Sequence, residues 1–328
     1  MRYIKFDNFL RASYSFAVEE YIMQNQKFED EYFLFWRTSP TVMIGRFQNT
    51  IEEINMDFIK SNNMNVVRRN SGGGTIYTDE NCWQFSFIIR KEKNEIRDFR
   101  DFTKPVTDAL KILGINTEFS GRNDLMLNGK KFSGNAQFSY KNQFLHHGSI
   151  LFDANLENLI KSITVSDEKL ISKGIKSIKE RVINLKPNLF NPEITSLEFK
   201  DKLLTSLNNN MLQINLTKND LQEIEKIEKE KFLNWDWNYG RSPEFNITKN
   251  KRFIGGKVEV FLIVKNGIIQ ECKIYGDFFF NGNIIDLENK IIGNKYEASK
   301  LYVLFKKIEI EKLFYGITSE DFLQLFIQ

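Results

Sequence analysis

Hydrophobic and polar positions follow two different periods along this chain of 328 residues. Between residues 8 and 24 the apolar side chains recur every three or four positions, which predicts an amphipathic helix with Asp7 as its cap. Residues 83–89 alternate instead between apolar and polar side chains, which predicts a half-buried strand. Both periods occur early in the chain, so we expect helices and strands in the same domain.

The same reasoning predicts further strands at 32–36, 41–44, 64–67 and 147–152, and helices at 105–113, 156–163 and 218–233. Ser39-Pro40 separates the first two of these strands and indicates a hairpin or a pair of strands. Asn128-Gly129 between two short apolar runs is the strongest short hairpin signal in the chain. Gly114 is expected to end one helix, and Thr217 to cap another.

The pattern changes near residue 246. Beyond it, strands at 257–264 and 268–275 are joined by Asn266-Gly267 and followed by a short helical tail. We therefore predict two domains, residues 1–245 and 246–328. Strands interleaved irregularly with helices and joined by tight hairpins favour an α+β fold. The expected architecture is a large mixed, mainly antiparallel sheet with helices, plus a small α+β C-terminal accessory domain.

Composition narrows the function classes. Lys and Arg number 46 against 43 Asp and Glu, which argues against a nucleic-acid-binding surface. Two widely separated cysteines, Cys82 and Cys272, form no metal-ligand spacing and no disulfide framework. No leader-like segment and no apolar stretch of bilayer-spanning length occurs. The sequence therefore predicts a soluble cytoplasmic protein that binds neither membrane nor nucleic acid.

The most informative segment runs from Arg68 through Arg69, Asn70 and Ser71 to three consecutive glycines, residues 72–74. Glycine lets a backbone approach a ligand closely, and the exposed N–H groups of such a loop can donate to phosphate oxygens. Arginines beside it can bind phosphate bidentately. The alternative is a flexible turn with arginines beside it by chance, because a lone glycine-rich loop is weak evidence for a phosphate-binding site.

A carboxylate and an ammonium flank the predicted Asn-Gly hairpin. Asp124 precedes the turn and Lys131 follows it, so the two residues should lie roughly across from each other and face one pocket. In nucleotidyl transfer a carboxylate holds Mg²⁺, and cations neutralise the charge that develops as pyrophosphate leaves. A surface ion pair across a hairpin, worth less than about 1 kcal/mol, is the alternative.

The only two histidines of the chain are His146 and His147. A metal site is not expected there, because no cysteine or third histidine accompanies them. Hydrogen bonding beside a ligand and a satisfied histidine in the core both stay open.

Taken together, these blocks resemble the bacterial two-domain lipoate–protein ligases. The resemblance rests on ordered motifs that cover nearly the whole chain: Arg68–Gly74, Gly121-Arg122-Asn123-Asp124, Lys131–Ala136, His146–Ser149, Lys173–Leu185 and Trp235–Gly240. One departure stands out. The family usually has His-Asp after the glycine loop, whereas this chain has Thr78-Asp79, which keeps a hydrogen-bonding side chain but lacks the imidazole.

The resemblance implies a two-step, ATP- and Mg²⁺-dependent ligase. Lipoate or a related short acyl acid becomes an acyl-adenylate, and a lysine of the acceptor then displaces AMP. The acceptor would be a lipoyl domain or a glycine-cleavage H-type protein, and the enzyme a monomer. Lys131 would be catalytic and Asp124 the magnesium ligand. The implied binding residues are Arg69, Ser71, Gly72, Gly73, Gly74, Thr75, Ile76, Tyr77, Asn123, Asp124, Lys131, Ser133, Gly134, Ala136, His147, Gly148 and Ser149.

There are three rival functions, of which the first two are enzymes and the third belongs to another class, a non-catalytic binding protein. An octanoyltransferase of the same fold would need an activated thiolate near the lysine. Cys82 does not lie where those transferases place theirs, and a buried structural cysteine is the better interpretation. A biotin–protein ligase would carry a basic Gly-Arg-Gly-Arg-type loop, which this sequence lacks. A non-catalytic protein that binds lipoyl carriers would not need Arg69, Asp124 and Lys131 together.

Overall fold

The computed structural model describes residues 1–6, 9–25, 27–28, 30–48, 50–90, 98–121, 123–163, 180–207, 211–239, 247–265 and 267–327, with only the backbone for residues 51 and 52. The chain divides into two compact units. The first unit contains residues 1–43, 53–68 and 76–238, and the second contains residues 44–52, 69–75 and 239–328. The domain boundary near residue 246 stays a prediction. Two short segments from the N-terminal part of the chain thus group with its C-terminal part.

The first unit is built on a large mixed sheet. Its strands are β1 (Arg2–Lys5), β2 (Tyr32–Trp36), β6 (Cys82–Arg90), β7 (Glu118–Ser120), β8 (Asp124–Leu127), β9 (Lys130–Tyr140), β10 (Gln143–Leu151) and β11 (Leu212–Asn215). Within the described residues they lie in the order β11-β1-β2-β6-β10-β9-β8-β7. Strand β1 pairs parallel with β11 and β2, and the other pairs are antiparallel. The predicted α+β fold with a mainly antiparallel sheet is confirmed.

Helices occur in both units of the chain. They are α1 (Ala12–Gln24), α2 (Thr50–Glu53), α3 (Met56–Ser61), α4 (Phe99–Ile112), α5 (Leu156–Ile163), α6 (Ser196–Leu207), α7 (Lys218–Ile227), α8 (Trp235–Asn238), α9 (Ile284–Ile291), α10 (Ala298–Ile308), α11 (Ile310–Leu313) and α12 (Ser319–Ile327). A π-helical segment, Glu228–Phe232, follows α7 directly, and a 3₁₀ turn occupies Lys186–Asn188. No helix in the described ranges is long and apolar enough to cross a membrane.

Apolar side chains cover both faces of the sheet. On one face, α1 packs Phe16 and Val18 against Leu34 and Leu145 of the strands. On the other face, α4 and α6 join a second core that is rich in phenylalanine. Burying each large apolar side chain contributes about 1.5–3 kcal/mol. Any polar side chain on a central strand is therefore enclosed by helices and needs a partner inside the protein.

Two predictions about the early strands are wrong. Strand β2 does not pair with the strand at 41–44, because this strand, β3 (Thr41–Ile44), belongs to a separate sheet. There it lies between β4 (Asn65–Arg68) and β5 (Ile76–Thr78). Strand β6 is also not half-buried, since every residue from Cys82 to Ile89 is buried. Its polar positions face a helix-covered side of the sheet instead of solvent.

The helix predictions are confirmed in place but not in every boundary. Helix α1 begins at Ala12, and the expected cap Asp7 lies outside the described residues. Helix α4 begins at Phe99, six residues before the predicted start, because Asp98 and Asp101 form a capping box there. Thr217 caps α7 as predicted, in a second capping box with Asp220.

The second unit contains an antiparallel sheet of β12 (Ile247–Phe253), β13 (Gly256–Lys265) and β14 (Ile268–Gly276). The strand β12 was not predicted, and the helical tail is longer than expected, since it comprises α9 to α12. Of the predicted Asn266-Gly267 turn, Asn266 lies outside the described residues, and Gly267 has the positive φ of 73° that such a turn requires. Phe47 from the N-terminal part of the chain joins the core of this unit.

Candidate functional site

The hairpin between β8 and β9 brings the predicted carboxylate and ammonium together. Asn128 and Gly129 both have positive φ angles, 51° and 71°, as a type I′ turn requires. Lys131 Nζ lies 2.7 Å from Asp124 Oδ1, and about a third of each side chain is exposed, 36% and 33%. The predicted proximity of the two residues is thus confirmed.

The register of this hairpin differs from the one expected. A bulge between Leu125 and Met126 places Asp124 opposite Gly134, while Lys131 pairs with Met126. The lysine side chain therefore extends along its own strand towards Gly134 to reach the carboxylate. A Cβ at Gly134 would lie 3.0 Å from Lys131 Nζ, so glycine leaves the room that the lysine occupies.

The backbone around Lys131 is held on both sides. Ile183 N–H donates to the Lys131 carbonyl oxygen at 3.0 Å, and Lys131 forms a parallel bridge with Val182. Gly134 N–H lies 3.3 Å from Ser149 Oγ on β10. The ammonium is thus attached to a backbone that two separate parts of the first unit, residues 182–183 and strand β10, fix in place.

Asp124 combines a buried oxygen with an unfilled acceptor position. Lys131 Nζ is close to Oδ1, yet this atom accepts no well-directed hydrogen bond from the described residues. The same residues contain no cluster of three or more His, Cys, Asp or Glu side chains that could hold a metal ion. A single carboxylate nevertheless suits Mg²⁺ that arrives with nucleotide phosphates, because this ion keeps most of its ligands as water and phosphate oxygen.

Asn123 and Asn135 connect the start of the hairpin to β9. Asn135 N–H donates to the Asn123 carbonyl oxygen at 3.0 Å, and Asn123 Nδ2 donates to the Asn135 carbonyl oxygen at 2.6 Å. Asn135 Nδ2 also lies 3.3 Å from Ser133 Oγ. Arg122, which completes this motif, lies outside the described residues. The motif's described part therefore shapes the hairpin base by main-chain and amide contacts.

The two adjacent histidines point to opposite faces of β10, and this settles the alternatives for His146. Its ring stacks on Phe102, with centroids 4.8 Å apart, and is fully buried. Its Nε2 lies 3.2 Å from Asn135 Oδ1, and its Nδ1 lies 3.2 Å from Gln137 Nε2. Burial lowers the pKa of His146 well below its usual value, and the charge of His147 acts in the same direction. His146 is thus a neutral histidine of the core.

His147 belongs to a buried polar chain on the other face. Its Nδ1 lies 3.3 Å from both carboxylate oxygens of Glu19. Ser86 Oγ donates to Glu19 Oε1 at 2.5 Å, and Trp36 Nε1 donates to Ser86 Oγ at 3.3 Å. Opposite His147 on β9 lies Ala136. This polar chain places the Glu19 carboxylate, the His147 imidazole and the Ser86 hydroxyl on the face of the sheet that also carries Ser149 of β10.

Glu19 and Ser86 are functional candidates that the sequence reasoning missed. The available signal was the position of Glu19, three residues after Phe16 and three before Ile22, on the buried stripe of α1. A carboxylate at such a position must find partners inside the protein. The alternating pattern of residues 83–89 predicts a solvent-facing position for Ser86, whereas the structure buries it fully.

The glycine loop and its surroundings form a closed network within the second unit. Arg69 is 5% exposed, and its Nη2 donates to the carbonyl oxygens of Gly72 at 2.8 Å and Gly74 at 2.7 Å. Its Nε donates to Ser71 Oγ at 3.2 Å. Gly73 takes the positive φ of 88°. The arginine of the motif therefore shapes the loop from inside.

Other parts of the second unit close on this loop. Gly73 N–H donates to the Phe278 carbonyl oxygen at 3.4 Å, and Phe278 stacks on Phe47 with ring centroids 4.9 Å apart. A Cβ at Gly45 would overlap the carbonyl oxygen of Gly73, and one at Gly72 would overlap that of Phe278. Thus at least two glycines are required by close backbone packing.

Thr75, Ile76 and Tyr77 continue from the loop into β5. Thr75 Oγ1 donates to Gln48 Oε1 at 3.0 Å. Ile76 and Tyr77 pair with β3. Thr78, the last residue of β5, is fully buried and accepts a hydrogen bond from Gln84 Nε2 at 3.0 Å. The hydroxyl at this position thus has a partner on β6.

Within the first unit, the structure brings together Asn123, Asp124, Lys131, Ser133, Gly134, Ala136, His147, Gly148 and Ser149 around β8, β9 and β10. Gly148 pairs with Asn135, whose Oδ1 a Cβ at this glycine would overlap. Within the second unit, it brings together Arg69, Ser71, Gly72, Gly73, Gly74 and Thr75. Most of the predicted Lys173–Leu185 block lies outside the described residues.

Both cysteines are buried and free. Cys82 pairs with Leu151 at one end of β6. Burial raises the pKa of the Cys82 thiol well above its usual value, and the nearby charge of Asp79 raises it further. Because only the thiolate is a good nucleophile, this environment does not activate Cys82.

Known proteins with the same architecture decide the family. Residues 11–208 match the lipoyl protein ligase A/B catalytic domain, and residues 242–326 match the bacterial lipoate protein ligase C-terminus. The chain belongs to the lipoate–protein ligase family. It is therefore an enzyme of the class that attaches lipoate to proteins.

Relatives cover the chain from end to end. It is 41% identical to lipoate-protein ligase LplJ of Bacillus subtilis over 99% of both chains. The P. falciparum LipL1 structure in complex with lipoate is 27% identical, with a TM-score of 0.79, over 99% of this chain and 97% of that one. An archaeal bipartite lipoate protein ligase from Thermoplasma acidophilum, studied with its E2 lipoyl domain, is 25% identical, with a TM-score of 0.66, over 75% of this chain and 98% of that one.

The neutral state of His146 predicts a pH dependence of stability. The lowered pKa means that the unfolded chain binds a proton near pH 6.5 that the folded chain does not bind. The free energy of unfolding therefore falls as pH drops below about 6.5, by about 1.4 kcal/mol per pH unit from this group. Urea unfolding of the wild type and of His146→Gln between pH 5 and 7.5 measures it. Equal slopes for both proteins below pH 6.5 would contradict the assignment.

The close packing at Gly45 predicts a difference between two glycines of the second unit. Gly45→Ala should destabilise this unit by about 2 kcal/mol, because the added methyl group meets a main-chain oxygen that cannot rotate away. Gly74→Ala is the matched control, since the nearest atom to its Cβ lies 3.9 Å away. Thermal unfolding followed by calorimetry compares them. Equal stability of the two variants would show that the loop packs differently.

Proposed function

We propose that this enzyme joins lipoate to a protein lysine in two ATP-dependent steps. In the first step, a carboxylate oxygen of lipoate attacks the α-phosphorus of ATP, and pyrophosphate leaves. In the second step, the ε-amine of the acceptor lysine attacks the carbonyl carbon of lipoyl-AMP, and AMP leaves with the bonding electrons. The observation that carries the proposal is the partly exposed Lys131 ammonium beside Asp124 on a backbone that is held on both sides.

Lys131 is the catalytic residue of this proposal. Its ammonium would bridge the lipoyl carboxylate and the α-phosphate oxygens. Negative charge on those oxygens is greatest in the pentacoordinate transition state, so a fixed cation stabilises this state more than the bound substrates. Ser149, 3.3 Å from Gly134 N–H, and Asn123 would line the same wall.

Asp124 would hold the magnesium ion of the nucleotide through its Oδ1, the buried oxygen that has an unfilled acceptor position. The ion supplies charge neutralisation for the leaving pyrophosphate. Lys131 Nζ lies 2.7 Å from the same oxygen. Asp124 would accordingly orient the lysine in the absence of nucleotide and share its charge between lysine and metal when nucleotide binds.

The main chain of residues 72–77, which comprises the glycine loop and the start of β5, would contact the phosphates and adenine. Ser71 directly precedes this segment. Arg69 is the proposed phosphate contact among the side chains. Because its guanidinium donates to the carbonyl oxygens of Gly72 and Gly74, it would exchange one of these bonds for a phosphate oxygen. Gly73 N–H would likewise leave the carbonyl oxygen of Phe278.

Two relatives support the choice of acyl acid and acceptor. A structure of LipL1 contains lipoate, and the archaeal ligase was studied with an E2 lipoyl domain. These names support lipoate as the acid and a lipoyl domain as the acceptor, with an H-type carrier protein of glycine cleavage as an alternative acceptor. His147, held by Glu19, and Gly148 would contact the bound intermediate.

A thioester route finds no support in the described residues. It requires a cysteine thiolate beside the lysine, whereas Cys82 is fully buried with a raised pKa. A non-catalytic role would leave the arrangement of Lys131 and Asp124 without a purpose. The adenylating ligase is therefore the function that the geometry supports best.

The proposal predicts pyrophosphate release that depends on lipoate and ATP without any acceptor. Lys131→Ala should retain less than about a tenth of the wild-type rate, a loss of about 1.4 kcal/mol or more in transition-state stabilisation. Lys130→Ala is the matched control, because it removes the neighbouring ammonium and should leave the rate within about twofold. A coupled pyrophosphate assay measures all three proteins, with circular dichroism as the test of folding. A folded Lys131→Ala protein with more than a tenth of the rate would contradict the role of the lysine.

A further inference from the structure

The other arginine of the motif, Arg68, is not one of the proposed phosphate contacts. It forms hydrogen bonds with helix α8 instead. Its backbone N–H donates to Asn238 Oδ1 at 2.8 Å, and its Nε donates to the Trp237 carbonyl oxygen at 2.8 Å. Its Nη2 donates to the Asn238 carbonyl oxygen at 3.3 Å. Trp237 Nε1 in turn donates to the Arg68 carbonyl oxygen at 2.8 Å. We call these four hydrogen bonds the Arg68 clasp.

The partner side of the clasp is itself firmly held. Asn238 Nδ2 donates to the Phe232 carbonyl oxygen at 2.8 Å. Lys231 Nζ lies 4.4 Å from the centre of the Trp237 ring and 2.6 Å from Glu20 of α1. The short helix α8 is thereby fixed to the π-helical segment and to α1. Because α8 cannot shift freely, the backbone at Arg68 cannot either.

The clasp lies at two special points of the chain. Residue 68 is the last one of the first unit before the glycine loop, and residue 238 is the last one before the C-terminal part. Arg69 N–H, the next donor along the chain, already bonds to Ile44 O at 3.0 Å. The clasp therefore fixes the main chain at the residue that directly precedes the loop.

We propose that Arg68 is a positioning residue for ATP, which acts through Trp237 and Asn238 by fixing the start of the glycine loop. The inference rests on the proposed function, in which this loop binds the phosphates. Amide donors that are aligned before binding lose less conformational freedom when they bind. Loosening the clasp should thus weaken ATP binding while lipoate binding is preserved.

A direct phosphate contact of Arg68 is the competing explanation, and the geometry disfavours it. The side chain is 7% exposed, and both its Nε and its Nη2 donate to main-chain oxygens of α8. Main-chain carbonyls are natural partners for a group that carries only donors. The guanidinium of Arg68 thus donates hydrogen bonds to carbonyl oxygens of α8.

Two mild substitutions test the inference. Trp237→Phe removes one donor of the clasp and keeps an aromatic ring. Arg68→Lys keeps the charge but cannot reach two carbonyl oxygens with a fixed fork. Trp235→Phe is the matched control, because Trp235 belongs to the same short helix and is 54% exposed. Lipoate-dependent pyrophosphate release without acceptor gives kcat and the KM values for ATP and for lipoate, and thermal unfolding gives Tm.

For Trp237→Phe and Arg68→Lys, we expect the KM for ATP to rise about five- to tenfold, the change that corresponds to about one net hydrogen bond. The KM for lipoate and kcat at saturating ATP should stay within about twofold of the control. A lowered Tm or kcat with an unchanged KM for ATP in both variants would overturn the inference and leave the proposed function standing. A wild-type protein that releases no pyrophosphate would overturn both.

Discussion

The structure around the site depends on one constraint, which is to hold the ammonium of Lys131 beside a carboxylate on two neighbouring strands, β9 and β8, of an apolar sheet. The type I′ turn at Asn128-Gly129 and the bulge that follows Leu125 decide where the lysine begins. Gly134 leaves space for its side chain, and Ile183 holds its carbonyl oxygen. A side chain at Gly134 would therefore displace the cation, although glycine itself carries no charge.

Enclosing the sheet on both faces creates a second constraint, since each polar group on a central strand must find a partner. The structure satisfies it separately on each face. On one face, His146 is neutral between two amides and stacks on Phe102. On the other, Glu19 accepts from Ser86 and faces His147. The two neighbouring histidines thus have different surroundings. His146 lies in the core, and His147 faces the polar chain near the proposed site.

Local signals in the sequence predicted much of the fold. The helix at Leu156–Ile163, the strands Tyr32–Trp36 and Thr41–Ile44 and the Asn-Gly hairpin are confirmed. Each of these depends on neighbouring residues alone. The predicted pairing of strands 32–36 and 41–44 was wrong because both strands are apolar at nearly every position, and such a pattern does not specify which strand lies beside which. The burial of Ser86 was hidden for a different reason, because the polar residues of β6 gave it the alternating pattern of a half-buried strand.

Long-range contacts of the candidate site were beyond the reach of sequence patterns. Asp124 and Lys131 were found because a tight turn joins them. By contrast, Glu19 meets His147 across 128 positions, and Arg68 meets Asn238 across 170. The glycine loop was expected as an open phosphate cradle, whereas Arg69 and Phe278 bind its main-chain atoms. Such contacts follow from tertiary packing, and no local period reports them.

Positional isotope analysis of AMP tests the central claim most directly. Lipoate that carries oxygen-18 in both carboxylate oxygens is converted to completion with ATP and an acceptor lipoyl domain, and the released AMP is weighed by mass spectrometry. Attack of the carboxylate on the α-phosphorus predicts that each AMP contains one oxygen-18 atom and that the other remains in the amide. Unlabelled AMP, or label in inorganic phosphate together with ADP, would contradict the adenylate mechanism.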